Sequence, residues 1–87
     1  MAKKAKKTRE YFIAHVGNII WGIGLTEKSA LRDGKHWIND YNRQGYTENK
    51  NLLKVIPATR SLYDGVNNYG GGQVDWKKSR GIAKLVE

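Results

Sequence analysis

The side chains with the clearest chemical potential in this sequence are cations. Lys3, Lys4, Lys6, Lys7 and Arg9 crowd its start, and Lys77, Lys78 and Arg80 form a second run near its end. Groups of this kind neutralise phosphates and release their counterions, so these eight residues are the candidates for binding a partner or a nucleic acid. Trp76 adjoins the second run, and Tyr46, Tyr63 and Tyr69 supply rings on which bases could stack. Each feature also has a plain explanation. A lysine-rich tail confers solubility, and a tryptophan in a small domain usually belongs to the core.

Other candidates for chemistry fare worse. His36 has Asp33 and Asp40 about one turn away on either side, a spacing that could hold a metal on a helix. The same spacing describes a solvated, charge-paired helix face, and with no cysteine in the chain there is no thiolate to complete a zinc site. Ser29, Ser61 and Ser79 lie in no nucleophile-elbow context, and the acids are scattered singly among bases rather than paired. Gly22-Ile23-Gly24 and Gly70-Gly71-Gly72 match neither the dinucleotide nor the Walker fingerprint, so they read as packing and turn glycines. The expectation is a protein that is not an enzyme and holds no metal and no cofactor.

The chain is 87 residues long, enough for one domain with a thin core and little room for a deep pocket besides. Its net charge of +8 is uneven: residues 1–9 hold five of the sixteen Lys and Arg residues and none of the eight acids, leaving +3 for the rest. Residues 1–8 therefore read as a basic tail, disordered when free because it has almost nothing apolar to bury. Residues 9–87 read as the folded domain. No apolar signal core follows the lysines, and the longest apolar stretch, Ile19–Leu25, is too short to span a bilayer. A soluble, cytoplasmic protein with no membrane partner is expected.

The elements that must position these groups follow from pattern. Residues 9–16 and 19–25 are rich in branched and aromatic residues, and Gly17-Asn18 between them signals a β-hairpin. Thr26 is placed to cap a helix running from Glu27 to about Arg43, with Gly45 after its end. Its apolar stripe is read as Ala30, Gly34, Trp37, Ile38 and Tyr41. Gly22 and Gly24 share one strand face, and Ala30 and Gly34 are a matching small pair, so the helix should lie tight on the hairpin there. Trp21 and Ile23 would then cover the other face or a sheet edge. Leu52–Ile56 reads as a third strand ending at Pro57, with an edge that could pair across a dimer. Thr59 would cap a second helix over 60–69. A closing hairpin, 73–76 and 82–86, would turn through Lys77–Gly81. The class is α+β, in the order ββαβαββ.

Two segments, IIWGIGLTEKSAL at 19–31 and IPATRSLYDGVNNYGGGQVDW at 56–76, resemble stretches of small accessory proteins of phages, prophages and plasmids, some of them neighbours of anti-CRISPR proteins. The resemblance carries over no functional residue. It implies a small single-domain protein of a mobile genetic element that inhibits a host defence nucleoprotein complex by occupying its surface. Many anti-CRISPR proteins are acidic and imitate DNA. At +8 this chain would instead bind an acidic protein surface or exposed RNA. The competing expectation is a protein that binds DNA or RNA through the basic tail and the Lys77–Arg80 turn. An aromatic-anchored surface patch would favour the first reading, and steeply salt-dependent oligonucleotide binding the second.

Overall fold

The computed structural model describes residues 10–72 and 74–86, so the basic tail, Lys3, Lys4, Lys6, Lys7 and Arg9 with it, lies outside the described residues. Strands β1 (Tyr11–Val16) and β2 (Ile19–Gly24) form the expected hairpin, with Gly17 taking the left-handed φ of 58° that its turn requires. Helix α1 (Glu27–Arg43) follows, then a 3-10 turn at Lys50–Leu52, strand β3 (Lys54–Ala58), helix α2 (Arg60–Tyr69) and strands β4 (Trp76–Ser79) and β5 (Ile82–Leu85). This is an α+β domain in the order ββαβαββ.

Both helices start where the sequence places a cap. Thr26 and Ser29 exchange a reciprocal pair of bonds: the Ser29 N–H donates to Thr26 Oγ1 at 3.0 Å and the Thr26 N–H to Ser29 Oγ at 3.1 Å. At α2 the Leu62 N–H donates to Thr59 Oγ1 at 3.2 Å.

The strand order is β2-β1-β3-β5-β4, so β2 and β4 are the two edges. β3 is interior, between β1 and β5, and is not the edge strand that pairing across a dimer would use. β3 also runs through Pro57 to Ala58 instead of ending before the proline. β3 and β5 run parallel and share one bridging pair, Ala58 with Ala83. Pro57 can donate no ladder bond, and the β4–β5 hairpin joins the rest of the sheet as a wing held by that pair.

Helix α2 and its side of the sheet form the main core: Ile13, Ile20, Ala58, Leu62, Val66 and Ala83, with Trp76 and Leu85 packed against it. The α1 side is different, because backbone meets backbone. A Cβ on Gly22 would sit 2.6 Å from the Ala30 carbonyl oxygen and 2.7 Å from the Gly34 Cα, and one on Gly24 would meet Ser29 and Ala30. The expected glycine contact is present. The expected stripe holds at Ala30, Gly34 and Ile38, which are buried, and at the half-buried Tyr41, but fails at Trp37, which is 50% exposed. The close approach centres on Gly34, so the next turn buries Ile38 and leaves Trp37 on the flank.

A β-bulge explains a second departure. Ala14 pairs with Gly22, but His15 pairs with Ile20, so Trp21 is an extra residue in β2. The extra residue reverses the alternation. Ile20 enters the α2 core, and Trp21 turns to α1, where its ring lies 4.9 Å edge-on to Tyr41. Ile23 covers the other face, as expected, whereas Trp21 stands on the α1 side at the β2 sheet edge, the second of the two expected places.

Candidate functional site

A groove of about 1200 Å³ runs along the outer edge of β2. One wall is the α1 flank carrying Asp33, His36, Trp37, Asp40 and Tyr41, and the other is Tyr63, Val66 and Asn67 of α2 with the glycines that follow it. The domain therefore has more open space beside its core than its length suggests. The groove exists because each helix covers one face of the sheet and neither covers the edge between them.

That edge is closed to a further strand. The Ile23 N–H donates to the Asp33 carboxylate at 3.0 Å, and the backbone of Gly71 packs on the Ile20 carbonyl so closely that no side chain fits there. Edge strands left open recruit foreign strands, and here both capping groups come from neighbouring elements. The groove consequently offers side chains rather than a sheet edge to an occupant.

Those side chains are aromatic and acidic. Trp21 packs edge-on to Tyr41, Tyr41 stacks on Tyr46 at 4.6 Å and 15°, and His36 lies edge-on to Trp37 at 5.1 Å. The buried Trp21 indole N–H has no acceptor among the described residues, so ring packing rather than a hydrogen bond fixes it. Among the described residues, Asp33, Asp40 and Glu48 line the groove with Arg32 as the one Lys or Arg beside them, an acidic balance in a chain of net +8. The Asp33, His36 and Asp40 trio is engaged elsewhere: Asp33 caps Ile23, and Asp40 accepts from Arg43 and Gln44, each at 3.0 Å. Among the described residues no group of three His, Cys, Asp or Glu is placed to hold a metal ion.

The second candidate, the basic run, lies on the far edge of the sheet. Lys77 and Lys78 are in strand β4, and the turn is a tight Arg80-Gly81 pair rather than the longer Lys77–Gly81 loop. All three cations are exposed, and the pairing adds a fourth that the sequence reading did not single out: Lys84 on β5 stands directly opposite Lys77. Trp76 is unavailable for stacking on a base. Its Nε1 donates to the Asn18 carbonyl at 2.8 Å, and its ring lies 5.0 Å from that of His15. Tyr63 likewise packs against Tyr11 at 4.9 Å, and Tyr46 against Tyr41, whereas Tyr69 is 70% exposed at the end of α2.

Hydrophobic periodicity could not have revealed the groove, because its floor is a strand edge and its walls are two elements distant in sequence. One sequence signal did bear on it: Trp37 stands among Asp33, Lys35, His36 and Asp40, a polar neighbourhood for a buried ring. Among the described residues no helix is long and apolar enough to cross a membrane. No protein-family model, curated protein or solved structure matches the chain.

Proposed function

We propose that this chain is a non-catalytic binding protein whose β2-edge groove takes a segment of a partner protein. The observation that carries the reading is Trp37, half exposed on the rim of a groove already walled by the packed rings of Trp21 and Tyr41. Large aromatic side chains over a desolvated pocket are the usual anchors of protein interfaces. With Asp33, Asp40 and Glu48 outnumbering Arg32, the groove favours a segment bearing lysine or arginine, whose cations can also lie over the rings. The resemblance to accessory proteins of mobile genetic elements makes a host defence nucleoprotein complex the first partner to test. Such complexes are rich in basic segments because they handle nucleic acid.

The experiment is capture from a lysate of the source cell by full-length protein, with and without nuclease. Trp37→Ala is run in parallel. A protein that survives nuclease treatment and is lost from the Trp37→Ala sample supports the reading. Capture that disappears with nuclease, or that Trp37→Ala leaves intact, refutes it.

A further inference from the structure

We propose that the β4–β5 hairpin is a second binding site, independent of the groove, for the phosphate backbone of duplex DNA. Three observations carry this. The first is the Lys77–Lys84 pair. Directly opposed residues on antiparallel strands have Cβ atoms about 5 Å apart, and like charges placed so oppose pairing. Among the described residues the ion pairs are Arg43–Asp40 and Arg60–Asp64, and neither reaches the hairpin. Lysine on an edge strand is a known guard against foreign strands, and that accounts for Lys77 and Lys78. It does not account for Lys84, which lies on β5, the inner strand of the pair.

The second observation is Arg80. Both residues of the turn have positive φ, 56° at Arg80 and 80° at Gly81, as a type I′ turn requires. Asparagine, aspartate or glycine adopts that conformation at less cost than arginine. The chain thus holds a cation at the tip where local preference argues for another residue, and such conflicts tend to mark function.

The third is shape. Lys77 and Lys84 share the face of the ribbon turned away from the α2 core, Lys78 lies on the core-side face opposite the buried Ala83 but is itself exposed, and Arg80 caps the end. Helix α1 makes its main contacts with β2, β1 and β3, so it leaves the Lys77–Lys84 face open. A two-stranded ribbon fits the major groove of B-form DNA, where a phosphate strand runs on either side. The deep, narrow major groove of A-form RNA admits no such ribbon. Single strands are bound through exposed rings, and the hairpin's one ring, Trp76, is engaged with Asn18 and His15.

The test is titration of the full-length protein against a labelled 20-base-pair duplex and one of its separated strands at several salt concentrations. The double variant Lys77→Gln/Lys84→Gln should reduce the slope of log affinity against log salt by about 1.8 on the duplex, two contacts at about 0.9 each. A control, Lys28→Gln/Lys35→Gln, removes the same charge from the exposed side of α1 and should leave the slope unchanged. Arg80→Asn should lower the slope by about 0.9 while the melting temperature holds or rises, because asparagine suits the turn. The site is ruled out if the hairpin variant keeps the wild-type slope, if the control loses as much, or if the loss appears on the single strand alone. An Arg80→Asn protein that melts lower and binds duplex normally would make Arg80 a structural residue and equally overturn the proposal. None of these substitutions touches the groove, so failure here leaves the Trp37 experiment standing.

Discussion

The two edges of this sheet solve one problem in opposite ways. At β2 the unpaired backbone is capped from outside, by the Asp33 carboxylate on Ile23 and by Gly71 on Ile20, and the space left between the helices is an aromatic, acidic groove. At β4 Lys77 and Lys78 stand exposed, and they discourage pairing by charge and by the desolvation a neighbour would impose. The first edge is shielded by tertiary structure and the second by composition. An edge shielded by tertiary structure can carry apolar side chains safely, so it can be a pocket. An edge shielded by charge must stay wet, so what it can bind is charged. The chemical difference between the two proposed partners, a basic protein segment and a phosphate backbone, follows from how each edge is guarded against a further strand.

The largest expected effect separates the two ends of the molecule. Gly22→Val would drive a branched side chain into the Ala30 carbonyl and the backbone of Gly34, neither of which can yield as a flexible side chain could. A loss of about 3 kcal/mol is expected, at the upper end for overpacking, and Gly24→Val should lose about 1–3 kcal/mol against Ser29 and Ala30. Urea denaturation followed by circular dichroism measures both. Wild-type stability in Gly22→Val would mean that α1 does not lie on β2 and that the groove lacks its first wall.

Trp76→Phe tests the attachment of the basic wing. It removes the donor to the Asn18 carbonyl at 2.8 Å and keeps most of the packing against His15. About 1 kcal/mol should be lost, the usual net value of one hydrogen bond. Hydrogen exchange should show the loss concentrated in β4 and β5. Uniform loss across the sheet would mean that the wing does not open separately, despite its single bridge at Ala58–Ala83.

Asp33→Ala sharpens the contrast between the edges directly. It uncovers the Ile23 N–H and removes a carboxylate that no other described residue replaces there. About 1 kcal/mol of stability should go, and self-association should rise with concentration in sedimentation velocity, because the β2 edge is then open to a second copy. A variant that stays monomeric at high concentration would show that Gly71 alone closes the edge.

The sequence was readable where a local rule decides the structure. Gly17-Asn18 announced the first hairpin, Thr26 and Thr59 the helix starts, and the pairing of Gly22 and Gly24 with Ala30 and Gly34 announced a close helix contact. It was unreadable where a choice is made between elements. Nothing local marks Trp21 as the bulged residue, yet that one insertion exchanges the roles of Ile20 and Trp21. The Arg80-Gly81 turn is hidden because arginine is not the residue that signals a type I′ turn, so the sequence alone suggests a longer loop. The basic candidates illustrate both cases. Lys77, Lys78 and Arg80 could be named from sequence, whereas Lys84 joins them only through strand pairing. The groove required the parallel β3–β5 crossover and both helices in place.

The smallest expected effect bears on the most consequential residue. Trp37 belongs to the apolar stripe when the helix is read alone, and a buried tryptophan truncated to alanine would cost about 3–5 kcal/mol. In the fold it is 50% exposed, and Ile38 takes the buried place one residue on. Trp37→Ala then loses its edge-on contact with His36 at 5.1 Å and the burial of the covered half of its ring, together about 1 kcal/mol or somewhat more. It gains a residue with better helix propensity by several tenths of a kcal/mol. The net loss should stay near or below about 1 kcal/mol, a fall of about 4–8 °C at most in the melting midpoint of a domain this small. Ile38→Ala provides the contrast, with an expected loss of about 2–5 kcal/mol. Equal and large losses in both variants would return Trp37 to the core and remove the groove's anchor. A stable Trp37→Ala protein that no longer captures its partner would make the exposed ring a binding residue, because stability would then give no other reason for the loss.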